Sequence, residues 1–129
     1  HQNLSGSKAK LQCLSFRPDS QHVAAGSHAG EVFVWKVADG TRQPSVADVG
    51  TEVIFRLAWT PDGKRLASAH GDGRLVVRQP GDPGALITLE GHRDGALSVC
   101  FHPLTGELIS SSFDHTIRMW PFLNTSRPR

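Results

Sequence analysis

The sequence predicts an all-β fold built from three copies of one sheet unit, and three observations carry that reading. Short apolar runs alternate with polar or small residues and are bounded by Pro, Gly and Asp, the pattern of strands joined by tight turns. The turn prolines Pro18, Pro61 and Pro103 are spaced 43 and 42 residues apart, as are Phe16, Trp59 and Phe101 and the triplet Trp35, Arg78 and Trp120. No segment keeps apolar residues at helical spacing over three turns without a Gly or Pro interrupting it.

Taken in order, residues 1–10 are polar and read as a lead-in, or as the remnant of a preceding outer strand. The first repeat, residues 11–49, predicts strands over 11–16, 22–27 and 31–37. A weak outer strand follows around 44–49, where Pro44 suits an edge position. The second repeat, residues 50–89, predicts strands over 53–59, 65–69 and 74–78. A Pro- and Gly-rich connection leads from there to an outer strand over 85–89. The third repeat, residues 90–122, opens on Gly91-His92. Its apolar runs contain Leu97, Val99 and Phe101, then residues 108–112, then 116–120. The tail, 123–129, offers no outer strand, so the third unit requires a fourth strand from elsewhere. Thr60-Pro61-Asp62-Gly63 and Gly71-Asp72-Gly73 are turn chemistry, not a phosphate cradle, because no helix follows them.

The stretch from Gly91 to Trp120 carries six features in sequence: Gly-His, a strand ending in Phe101, a turn with Pro103, a Ser-rich strand, a turn with Asp114 and a final Trp. It resembles the WD-repeat family, whose units are β-propeller blades with a period in this range. The resemblance implies three consecutive WD-type repeats. Because propellers close with four to eight blades, three imply an open arc of a larger ring, completed by further blades from the same or another chain. The chain is accordingly expected to be part of a larger protein, an expectation with which the absence of an initiating Met agrees.

By position, the family's buried hydrogen-bond chain falls on His92, Ser110, Asp114 and Trp120. A catalytic Ser-His-Asp reading is weaker, since Ser110 lies inside a predicted strand with no Gly-x-Ser-x-Gly around it. The second repeat keeps Ser68 and Asp72 but places Arg78 where the Trp belongs, and has no Gly-His before its first strand. The first keeps Trp35 but has Ala25 and Ala29 at the Ser and Asp positions. These two repeats are therefore expected to rely on apolar packing, with Arg78 pairing to Asp72. Phe16, Trp59, Phe101, Val32, Val34, Leu75 and Val77 are the expected core.

A net charge of +2, from 14 basic and 12 acidic residues, gives no clustered basic field, so nucleic-acid binding is possible but unsupported. Cys13 and Cys100 are expected as buried free thiols, consistent with a reducing, intracellular compartment, cytoplasmic or nuclear. No apolar run long enough for a membrane span occurs. His28, His70 and His115 recur near successive turns, but without ligand spacing for a metal, and no cofactor is expected. What remains is binding to other proteins, as a non-enzymatic scaffold. In the family the turns at one end of the blades form the docking rim, which here would present His28, His70, Arg93, Asp94 and Phe113. The alternatives are a sensor or autoinhibitory propeller of a nucleotide-driven switch protein, and an RNA-binding propeller.

Overall fold

The computed structural model describes residues 9–43, 52–80 and 82–120, with the backbone alone for 82–86. Three antiparallel sheets stand side by side. The first orders β1 (Leu11–Phe16), β2 (His22–Ser27) and β3 (Val32–Lys36). The second orders β4 (Ile54–Trp59), β5 (Leu66–His70), β6 (Leu75–Gln79) and β7 (Asp82–Leu89). The third orders β8 (Ala96–Phe101), β9 (Leu108–Ser112) and β10 (Ile117–Trp120). The outer strand predicted at 85–89 begins three residues earlier, at Asp82. The weak strand predicted around 44–49 and the tail after Trp120 lie outside the described residues.

The turns repeat one device. After β1, Asp19 Oδ1 accepts the Gln21 N–H, and after β4, Asp62 Oδ1 accepts the Lys64 N–H, each at 2.9 Å. A carboxylate that bonds the backbone two residues on closes the turn locally and delivers the second strand.

Each first strand also carries a bulge at its second residue. Leu11 pairs with Ser27 and Cys13 with Gly26, leaving Gln12 extra. The same shift leaves Phe55 extra between Ile54 and Arg56, and Leu97 extra between Ala96 and Ser98. A bulge puts two residues opposite one and re-aims the extra side chain. Hence Leu97 does not share the inward face with Val99, and stands 36% exposed at the strand's end.

Two apolar seams join the sheets. Ala24 and Val32 of the first sheet share a buried cluster with Ile54, Leu57, Trp59 and Leu66 of the second. Ala67, Ala69, Leu75, Val77 and Leu89 of the second meet Ala96, Val99 and Leu108 of the third. The Trp59 Nε1–H also donates to the Ser15 carbonyl at 3.0 Å, pinning the second sheet onto the first.

The first and third sheets differ from expectation because, among the described residues, each has another sheet packed on one side alone. Phe16, expected in the core, is 56% exposed on β1, whereas its counterpart Trp59 is buried. Cys100, expected to be buried, is exposed on the outer side of β8; Cys13 is partly buried, with burial raising its thiol pKa. Val32, Leu75 and Val77 are buried as expected.

Gly26 sets how closely the first seam can approach. A Cβ there would stand 2.6 Å from Ile54 Cγ2 and 2.9 Å from Ile54 Cβ. Gly26→Ala is therefore expected to destabilise the chain by about 1–3 kcal/mol through overpacking. Ile54→Ala introduced on top removes the Cγ2 that the new Cβ meets, so the double variant should be less destabilised than the sum of the two single variants, as urea unfolding of all three checks.

Candidate functional site

The third sheet holds a polar centre between its strands and the loop leading into β8. Ser110, on β9, is buried and lies 2.8 Å from His92 Nε2 and 3.0 Å from Trp120 Nε1. His92 Nδ1 is 3.0 Å from Asp114 Oδ2. The indole can only donate, so Ser110 Oγ accepts from Trp120 and gives its proton to His92 Nε2; His92 Nδ1–H then donates to the Asp114 carboxylate. The Thr116 hydroxyl first, then the Arg93 N–H and the His92 ring, hold the Asp114 carboxyl well below the usual carboxylate range. All four residues singled out for this chain are thus brought together.

Chemically, the arrangement ties the β8 loop to β9, the turn and β10. Ser, His and Asp are within hydrogen-bond reach of one another, as in a hydrolase triad, but the Ser110 hydroxyl is already engaged by Trp120 and is 1% exposed. A nucleophile needs an accessible, sharply turned position beside oxyanion donors.

In the second sheet the polar centre is rewired. His70 Nε2 stands 2.8 Å from Ser68 Oγ, two residues earlier on the same face of β5. A histidine from within the second strand thus supplies the imidazole that the missing Gly-His would have brought, so this unit does not rely on apolar packing alone. His70 is fully buried and is not part of the rim, contrary to expectation. The expected Arg78–Asp72 pair does not form: Asp72, exposed in its turn, pairs with Arg74 at 2.7 Å, while Arg78 is buried on β6. Burial, reinforced by the nearby Arg78 charge, lowers the His70 pKa to about 4.

The rim residues divide accordingly. His28 is exposed and its Nε2 bonds to Gln12 Oε1 at 2.7 Å, joining a turn residue to the bulge residue of its own first strand. Phe113 occupies the equivalent turn position and is 52% exposed. Its ring meets that of Phe55, the bulge residue of the second sheet, edge-on at 6.2 Å. Gly95 makes room for this arrangement: a Cβ there would lie 3.2 Å from the Phe113 ring and 3.0 Å from the Gly71 carbonyl oxygen. Arg93 and Asp94 are exposed beside it. Sequence reasoning did not single out Phe55, which meets Phe113, or Leu97, the equivalent bulge residue; the signal was their shared offset of 42 within the repeat. Among the described residues no three His, Cys, Asp or Glu side chains gather as metal ligands. No helix among them is long and apolar enough to cross a membrane.

Three such sheets, the third carrying this polar centre, define blades of a β-propeller. A model of the WD domain, G-beta repeat family matches residues 1–36, 48–78 and 84–121, and the chain belongs to that family. It is similar to the transcriptional corepressor LEUNIG_HOMOLOG of Arabidopsis thaliana, 28% identical over 88% of this chain and 15% of that protein. It is also similar to WD repeat and FYVE domain-containing protein 1 of Mus musculus, 31% identical over 84% of this chain and 27% of that protein. The chain therefore spans well under a third of either relative. The solved structure of the RRP9 WD40 repeats superposes with a TM-score of 0.84 at 24% identity, over 92% of this chain and 37% of that one, a likeness of fold.

His70 makes the second blade acid-sensitive. Its pKa falls from about 6.5 unfolded to about 4 folded. Between these values the unfolded chain binds the proton and the folded chain does not, so stability falls as the pH drops through that window and is retained above it. The shift corresponds to about 3 kcal/mol. His70→Gln should flatten that dependence, as measured by urea unfolding at pH 7 and pH 4.5; an unchanged slope would contradict it.

Proposed function

We propose that the chain is a non-catalytic interaction module, an arc of a larger propeller in an intracellular protein, with repeats at 11–49, 50–89 and 90–122 and a rim that docks other proteins. The observation that carries the reading is the pair formed by Phe55 and Phe113 across two adjacent blades. An exposed aromatic held in place by a second ring, with charged Arg93 and Asp94 beside it, has the makeup of an interface anchor with a polar surround. The absence of a free nucleophile at Ser110 supports a role without bond-making. Membership of the WD-repeat family supports association with other proteins, and a relative named as a transcriptional corepressor accords with an intracellular setting.

The experiment is a comparison of proteins captured from cell extract by the wild-type chain and by Phe113→Ala, quantified by mass spectrometry. Loss of an anchor is expected to reduce specific capture by tenfold or more, corresponding to about 2 kcal/mol. The thermal midpoint should fall only as far as losing the half-exposed ring's edge contact with Phe55 requires, about 1 kcal/mol. Equal losses of capture and stability would show that the ring only packs against Phe55.

A further inference from the structure

The turns from first to second strand lie at the opposite end of the sheets from Phe55 and Phe113, and they do not close the two seams alike. At the first seam Arg17, the residue after β1, reaches from its own turn to the next. A Cβ on Gly63 would lie 3.2 Å from Arg17 Cγ and 3.4 Å from Arg17 Cδ, and the guanidinium stands over the Trp59 ring, 6.0 Å from its centre. Its Nε donates to Asp19 Oδ2 at 2.9 Å and its Nη2 donates to the same oxygen, while Asp19 Oδ1 accepts the Gln21 N–H.

At the second seam Thr60, the residue after β4, stands in the place of Arg17. Its hydroxyl is engaged within its own turn, donating to Asp62 Oδ1 at 2.6 Å and accepting the Arg65 N–H at 3.0 Å. So short a side chain cannot span the seam. A groove of about 200 Å³ is left between Thr60, Pro61 and Asp62 on one side and Pro103, Leu104 and Thr105 on the other. His102 fixes the far wall, its Nδ1 accepting the Leu104 and Thr105 N–H groups at 3.1 and 3.2 Å. The ring in the place of Trp59 is Phe101, partly buried at the same seam.

Asp62 repeats Asp19. Its Oδ1 is taken by its own turn, and its Oδ2, the counterpart of the oxygen that holds Arg17, accepts no hydrogen bond among the described residues. The Thr60 hydroxyl first, then the Lys64 N–H, hold this carboxyl below its usual range, so it is charged at neutral pH.

We propose that this groove binds an arginine side chain of a partner protein, which completes the second seam in trans as Arg17 completes the first in cis. A guanidinium presents its N–H groups as a planar fork and can lie against a ring, as Arg17 does; a lysine ammonium lacks the fork. Leu104, 90% exposed at the lip, offers apolar surface to the methylene stem. The site is separate from the aromatic rim, so either can fail without the other.

The test titrates the full chain with the blocked peptide acetyl-Gly-Gly-Arg-Gly-Gly-amide and follows the backbone amide NMR signals of Leu104, Thr105 and Gly106. These should move to saturation with a Kd on the order of 1 mM. Citrulline in place of the arginine keeps the shape without the charge, and should bind at least about tenfold more weakly. Asp62→Asn, which keeps the turn's Oδ1 acceptor, should weaken the arginine peptide about tenfold, whereas Asp19→Asn should not. The same spectra report whether each variant is folded. Equal shifts with arginine and citrulline, or shifts indifferent to Asp62→Asn, would overturn the proposal. No shift at about 20 mM peptide would overturn it too. Shifts that appear only after Arg127→Gln and Arg129→Gln would assign the groove to the chain's own arginines and overturn a partner in trans.

Discussion

Everything in this fold depends on the lateral contact between one sheet and the next. No sheet of three or four strands buries both its faces unaided, and apolar side chains on the two sides find cover only against a like unit. The approach is set by volumes: Gly26 yields to Ile54 at the first seam, and the small Ala69 and Ala96 share the buried cluster at the second. Where no described sheet lies alongside, apolar side chains stand exposed, as at Leu14 and Phe16 of the first sheet and Ile117 and Met119 of the third. The middle blade, covered on both sides, has its β5 and most of its β6 buried.

The polar centres are secondary to this packing and more variable. In the third blade Trp120, Ser110, His92 and Asp114 form a directed chain in which each buried donor meets an acceptor, the condition under which buried polar groups can be tolerated. In the second, His70 and Ser68 form a shorter version with a buried Arg78 close by, at the cost of an imidazole held neutral. In the first, the Ser27 hydroxyl accepts the Ala29 and Glu31 N–H groups, each at 3.1 Å. The same backbone therefore accepts three different solutions, because the seams carry the burial.

The strands and turns were legible from period-two alternation and the 42- and 43-residue spacing, and the polar centre of the third blade from the family motif between Gly91 and Trp120. What was not legible has physical causes. The per-repeat pattern assumes a neighbour on both sides, so Phe16 and Cys100 were assigned to a core, whereas among the described residues the first and third sheets have a neighbouring sheet on one side alone. His70 was read as a loop residue because the histidine was sought before the first strand, although its spacing of two from Ser68 puts both on one face. Phe55 and Leu97 are turned out of the strand alternation by bulges, which arise from two residues facing one across a sheet and leave no mark in the alternation of a single strand.

Amide hydrogen exchange, resolved by residue, tests the dependence on lateral cover most directly. The account predicts the slowest exchange in β4, β5 and β6, flanked on both sides, and markedly faster exchange in β1 and β10, whose outer faces are open. Uniform protection across the three blades, or the strongest protection in β10, would contradict it.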